Sequence, residues 1–432
     1  MKNEFKYFTI AFLLITSLLL GWSSYPEINH KVSQAAVKVG FFPKYFTHVH
    51  NQWKGEFKFD NGITLSNNFQ GARLNDAIST DDSIITVVVS PENTPIRVNP
   101  WYAFKIWSEE NKETYIKFTY PESGVTHRYY PKISSDGIKW KDLPSDHFLN
   151  YKRDDSFLDT SDMPEEALIK VSTNPDTLWI AANKIVTTKD VEIWIDSVSV
   201  KPFVKVDIIG TTLQKRPIYM VGIENDTAEK NIIILARQYP SMSVGYLAMQ
   251  TFIKQITADT ELARNFRRKF NVFLFPHVNP DGADNGHWSQ NMEGVNLTKD
   301  WGETTQLEIK TIKTYIDSLA SSAGHDFYLN IDFRSNRNSI LYVLNADENN
   351  KMKGLTMDIA SSVKQYLSVY QPTIKPKITS TSGRIQFAED YFYIKYGMES
   401  LVVIIDEDST HELIEQKGVA LSMSVMEHLG SL

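Results

Sequence analysis

The hydrophobic pattern of this chain changes period at about Val204, and that change constrains its architecture more than any other feature. From about residue 40 up to that point, apolar and polar residues alternate in short runs separated by turn residues, the pattern of strands buried on one face. Residues 83–89, 101–107 and 114–120 are such runs, and Ser134-Ser135-Asp136-Gly137 is a turn with Gly where a positive φ is expected. Beyond Val204, apolar runs alternate with segments of helical period. Buried strands are expected over 218–223, 231–236, 272–276, 327–333, 339–345 and 401–405, the first two as neighbours. Helices are expected over 244–256 and along the face formed by Ile309, Ile312, Ile316 and Leu319. The fold class is therefore α/β: an all-β sandwich over 40–203, then a mixed-sheet α/β/α domain over 204–432.

A chain of 432 residues is long enough for two cores. Its net charge of -7 is small, and the one dense basic stretch, 264–269, is short, so no nucleic-acid partner is expected. The absence of cysteine excludes disulfides, thiolate metal sites and a cysteine nucleophile, leaving His, Asp and Glu as zinc ligands. Lys2 and Lys6 precede an apolar run over 8–22 that is shorter than a membrane span. Residues 1–24 are thus expected to be a signal peptide or N-terminal anchor, and 25–39 a linker. The protein is expected to be exported, with membrane contact only if the run stays uncleaved. Trp101, Tyr102, Trp107, Tyr129, Tyr130 and Trp140 could offer a glycan-binding platform, although core and cross-strand pairing explains them more simply.

Open α/β sheets place their chemistry in loops at the carboxyl ends of strands. Four such loops carry polar motifs. The first is Ala236-Arg237-Gln238-Tyr239-Pro240-Ser241-Met242. The second is Pro276-His277-Val278-Asn279-Pro280-Asp281-Gly282, continuing through Gly286-His287-Trp288-Ser289-Gln290-Asn291 to Gly294-Val295-Asn296-Leu297-Thr298-Lys299-Asp300-Trp301. The third is Asp332-Phe333-Arg334-Ser335, and the fourth spans 396–408. In this order, with Ile209-Gly210-Thr211 and Arg216 upstream, they resemble the zinc carboxypeptidase family over residues 209–414, about half the chain. The β-rich region ahead is similar to the N-terminal domain of bacterial and cytosolic members.

The resemblance implies an exopeptidase fold in which one zinc ion activates water to remove a C-terminal residue. It also implies where the chemistry should sit, and there this sequence departs from the family. The positions of the first loop's zinc-binding His and Glu hold Tyr239 and Met242, and the third ligand position holds Arg334. Counting from Gly397 along the late strand, the position of the catalytic Glu falls at Ile404, whose neighbours Val403 and Ile405 are equally unable to act as a base. The carbonyl-polarising Arg is matched by Ser289, and the Asn-Arg pair that grips the terminal carboxylate by Thr298 and Lys299.

A neutral phenol and a thioether are poor zinc ligands, and a guanidinium cannot lose its proton, so Arg334 would repel the ion. Without zinc and the Glu, nothing at these positions acidifies or deprotonates water. No metal or other cofactor is expected. Arg334 puts a fixed charge where the cation would sit, either binding an anionic or carbonyl group or pairing with Asp332, Asp406, Glu407 or Asp408. Arg237, Asn291, Thr298, Lys299 and Arg334 are the candidate ligand-binding residues. A displaced metal site using His277, His287 and Asp281 lacks helical ligand spacing. Three functions follow: an inactive carboxypeptidase-like protein binding a peptide, wall fragment or protein partner; an active zinc enzyme with an atypical site; or a carbohydrate-binding protein acting through its β-domain.

Overall fold

The structure is a computed structural model that describes residues 49, 51–79, 83–92, 99–120, 126–151, 164–321, 326–344, 351–367, 369, 371–377 and 385–431. The expected export signal and linker lie outside the described residues.

Ten strands come first: β1 (Glu56–Lys58), β2 (Ile63–Ser66), β3 (Asp76–Ser79), β4 (Ile84–Val88), β5 (Ala103–Ser108), β6 (Lys112–Thr119), β7 (Lys132–Ser134), β8 (Lys141–Asp142), β9 (Leu168–Thr173) and β10 (Leu178–Ala181). They form a six-stranded sheet, β1-β2-β5-β10-β7-β8, and a four-stranded sheet, β3-β4-β6-β9. The alternation read from the sequence is what joins them, because every second residue points inward. Ile116 and Phe118 of β6 and Ile85 and Val87 of β4 share one core with Leu65, Phe104, Ile106 and Ile180 of the other sheet. Trp101, Tyr102, Tyr129 and Tyr130 are buried in that core, while Trp107 and Trp140 are half-buried. Gly137 has the expected positive φ, +72°.

The strand-dominated reading misses a helix, α1 (Thr188–Ser199). Thr187 and Asp190 close a capping box at its start, and Val191, Ile195 and Val198 recur at helical spacing. Those three side chains join the core of the α/β region, not that of the sandwich.

The eight-stranded sheet of the α/β region contains β11 (Val204–Thr211), β12 (Pro217–Ile223), β13 (Lys230–Ala236), β14 (Phe270–Phe275), β15 (Asp326–Asn336), β16 (Ile340–Leu344), β17 (Thr373–Lys377) and β18 (Glu399–Asp406). Their order is β11-β12-β14-β13-β15-β18-β16-β17. The expectation that β12 and β13 are neighbours is therefore wrong. The helices α2 (Ser243–Ile256) and α3 (Glu261–Lys269) carry the chain back across the sheet, so β14 lies parallel to β13 and antiparallel to β12, between them. A buried-strand pattern specifies faces and not neighbours.

Successive residues of β13 feed opposite cores, Ile232, Ile234 and Ala236 on one side and Ile233 and Leu235 on the other. The first core is covered by α1, α2, α3, α6 (Leu355–Tyr366) and α8 (His411–Gly430). The second is covered by α5 (Leu307–Ala320) and α7 (Ala388–Tyr396), with Trp301. No helix among the described residues is long and apolar enough to cross a membrane.

The sandwich docks on the second loop, which contains the short helix α4 (Pro280–Asp284). The Gly71 amide donates to the Asp284 carbonyl at 2.8 Å, and the buried Arg73 Nε donates to the Gly286 carbonyl at 3.0 Å. Gly286 has φ +68°, and a Cβ on it would fall 2.1 Å from the Ala72 carbonyl oxygen, so this close approach requires glycine.

Candidate functional site

Strand β15 ends in alternation, with Phe333 turned to the first core and Asp332 and Arg334 to the opposite face. On that face α7 packs against the sheet, and Glu389 in its first turn meets Arg334. The Arg334 guanidinium donates through Nε to Asp332 Oδ2 at 2.7 Å and through Nη2 to Glu389 Oε2 at 3.0 Å. Lys377 on β17 pairs with the other Glu389 oxygen, and Gln238 Nε2 donates to Asp332 Oδ2 at 2.7 Å. Trp301 Nε1 in turn donates to Gln238 Oε1 at 2.8 Å.

Two cations and two carboxylates thus alternate, and their formal charges cancel. Asp332 is fully buried and Glu389 nearly so. Burial works against the charge on Arg334, but Asp332 and Glu389 outweigh it and raise its pKa, so the guanidinium stays ionised. Burial pushes Glu389 up, yet Arg334 and Lys377 together hold it below the usual carboxylate range. Burial raises Asp332, with Arg334 opposing.

The first loop reaches the same place through close packing. Tyr239 and Met242 precede α2, with Met242 at the N-cap. The third residue of that helix is Gly245, whose missing Cβ leaves room for the Arg334 carbonyl, 2.6 Å from where a Cβ would stand. The Gly245 amide donates to Ser335 Oγ at 2.8 Å. Helix α2 therefore starts directly against the end of β15. The Tyr239 phenol is close enough to act on the charge of Arg334 and accepts from Asn296 Nδ2 at 2.7 Å. Ile404 is the register partner of Arg334 on β18. Asn296 also caps the short turn Leu297–Lys299, accepting from the Thr298 amide at 3.1 Å. Tyr239, Arg334, Ile404 and Thr298 thus share one neighbourhood. Lys299 is exposed, with no ion-pair partner among the described residues.

Other candidate residues are used differently. Arg237, with φ +55°, is buried and donates to the Val186 carbonyl at 2.6 Å and to the Pro240 carbonyl. Burial pulls it down to about 10. Asn291 donates to Gln306 Oε1 at 2.7 Å and accepts from the Glu293 and Val295 amides, closing its own turn. Ser289 lies beside the first loop, because Ser241 Oγ donates to the neighbouring Trp288 carbonyl at 2.8 Å. The Ser289 amide donates to Glu92 of the sandwich at 3.2 Å.

The acids near Arg334 in sequence are also divided. Asp332 pairs with it, while Glu407 accepts from Arg128 of the sandwich at 2.8 and 2.9 Å. Glu389 and Lys377 carry no motif, and only the packing of α7 and β17 brings them in.

The side chains at the three positions that the resemblance assigns to zinc ligands, Tyr239, Met242 and Arg334, do not fit the ion. A phenol, a thioether and a guanidinium already paired with two carboxylates offer it no ligand set. Among the described residues no three His, Asp or Glu side chains gather as metal ligands would. His277 is buried, and burial, helped by Arg237 and Arg216, keeps it neutral. His287 Nδ1 lies 3.1 Å from the Gln290 carbonyl, and Asp281 pairs with Arg216 at 2.8 Å.

Comparison with known proteins fits this geometry. Residues 191–368 match the family model described as zinc carboxypeptidase. Mouse cytosolic carboxypeptidase 3 is 20% identical over 319 residues, 68% of this chain and 32% of that protein. Cytosolic carboxypeptidase 6 of Caenorhabditis elegans is 23% identical over 192 residues, 41% of each chain. The chain thus spans well under two thirds of the length of either relative. The crystal structure of a metallo-carboxypeptidase from Burkholderia cenocepacia superposes with a TM-score of 0.68 at 17% identity, covering 85% of this chain and 99% of the other. That likeness establishes a shared fold that takes in the sandwich as well as the α/β region. The residues that match the zinc carboxypeptidase model take in the first three of the four loops, in the order the resemblance expects.

Proposed function

We propose that this protein is an exported carboxypeptidase-like protein that does not hydrolyse peptides through zinc, and that it uses the former catalytic cleft to bind a peptide, a cell-wall fragment or a protein partner. The observation that carries the reading is the Arg334 guanidinium between Asp332 and Glu389, where the resemblance puts a zinc ligand. A metal ion would have to displace a fixed cation already paired with two buried carboxylates, at a cost of several kcal/mol. Ile404 beside it can neither take nor give a proton.

Export rests on the basic and apolar start of the sequence. Ligand binding rests on Lys299, an exposed cation with no ion-pair partner among the described residues, beside Thr298 in the turn tied to Tyr239 and suited to a terminal carboxylate. The test uses the full chain and a short peptide with a free C-terminus. The expected result is binding by ligand-observed NMR, at least about ten-fold weakened when the peptide is amidated, with no shortening by mass spectrometry. Release of the C-terminal residue by zinc-loaded protein would overturn the proposal.

A further inference from the structure

Lys417 is buried in the second turn of α8 with an uncommon set of partners. Its Nζ lies 2.6 Å from the Ser339 hydroxyl and 3.2 Å from the Ser409 hydroxyl. Among the described residues, no carboxylate lies within ion-pair distance of it. A buried ammonium answered only by hydroxyls is costly, whereas a neutral amine at the same place is not. Burial accordingly pulls Lys417 down to about 8, against the opposing field of Asp406. A neutral amine in contact with a hydroxyl can take its proton, which is the Ser-Lys form of an activated nucleophile.

The surroundings of Ser339 suit that role. Ser339 lies between β15 and β16, at the carboxyl end of the sheet, and is half-buried, so a substrate can reach it. The Asp406 amide donates to its Oγ at 3.2 Å and fixes the hydroxyl against the end of β18. The buried Ser409 hydroxyl also accepts from Lys417 Nζ, giving the amine a second fixed contact.

We propose that Ser339, with Lys417 as its base, is a nucleophile for acyl transfer from an ester-like substrate, at a site independent of the Arg334 cleft. Ser339 Oγ forms a bond to the ester carbonyl carbon while its proton passes to Lys417 Nζ. The tetrahedral adduct then collapses, the bond to the alkoxide breaks, and Lys417 returns the proton to the departing alcohol. Water attacks the acyl-serine in the same way, with Lys417 taking one of its protons and passing it back to Ser339 Oγ as the acid leaves.

A fluorophosphonate probe reads the first step. Ser339 Oγ bonds to phosphorus, the phosphorus-fluorine bond breaks, fluoride leaves and Lys417 takes the proton. The full chain is expected to gain one adduct, mapped to Ser339 by peptide mass spectrometry and abolished in Ser339→Ala. Lys417→Met is expected to slow labelling by about 100-fold or more, the range for loss of a general base. Lys417→Arg guards against a variant that fails to fold, because it keeps a cation against the hydroxyls but cannot become neutral. A folded Lys417→Arg protein should be as slow as Lys417→Met. Labelling at any other residue, no labelling, or Lys417→Arg labelling at the wild-type rate would overturn the proposal.

Discussion

Replacing Arg334 with Met removes the guanidinium that answers both Asp332 and Glu389 and keeps most of its apolar length. The two acids do not suffer equally. Glu389 keeps Lys377, whereas Asp332 is left with the Gln238 amide on Oδ2 and nothing on Oδ1. Removing one partner of a buried ion pair costs about 3–5 kcal/mol. The remaining contacts put the expected loss near the lower end, about 3 kcal/mol. Asp332 will relieve part of that cost by taking up a proton, so the loss should shrink as the pH falls. The assay is urea unfolding of the full chain followed by tryptophan fluorescence, which reports on this network because Trp301 donates to Gln238. Arg334→Lys, which keeps the charge but not the planar fork, should lose less. If Arg334→Met cost under about 1 kcal/mol and instead abolished ligand binding, the network would not be holding the loops together and the reasoning would fail.

Tyr239→Phe removes the acceptor for Asn296 Nδ2 and should cost about 1 kcal/mol, with faster hydrogen exchange at the Thr298 and Lys299 amides. Unchanged exchange there would mean that the phenol does not organise the turn. Glu308 is raised to about 7, first by burial, with the Asn291 amide opposing. A folded pKa above the unfolded one stabilises at low pH, and that contribution is lost as pH rises through 7. Wild type should therefore lose on the order of 3 kcal/mol between about pH 4.5 and 8 relative to Glu308→Gln, as read from urea midpoints. Parallel pH profiles for the two proteins would refute this.

The sequence carried the cores and the order of the loops, because period-2 and period-3.6 patterns and short turn motifs are local. Strand order was not local. Nothing in residues 218–236 shows that β14 will insert between β12 and β13, since that depends on the crossover through α2 and α3. Helix α1 was missed for a related reason, because its mixed polar surface sits next to strands and only the Thr187 and Asp190 capping pair marks its start. At the site, the motifs brought Tyr239, Met242 and Arg334 to attention through the resemblance, and Asp332 was among the expected partners of Arg334. Glu389 and Lys377 were not legible. They lie 55 residues (Glu389) and 43 residues (Lys377) beyond Arg334 in the numbering, on elements whose packing alone delivers them. Arg334 is answered by two acids, and the second had no motif to announce it.

On the proposed reading, Arg334, held by Asp332 and Glu389, stands where a carboxypeptidase would bind zinc. The most direct test is zinc titration of the purified full chain, with bound metal counted by mass spectrometry and C-terminal residue release assayed on the same samples. The account predicts no stoichiometric zinc and no release in wild type, with Arg334→Met no different in either respect. One zinc per chain in wild type, together with release of C-terminal residues, would contradict it.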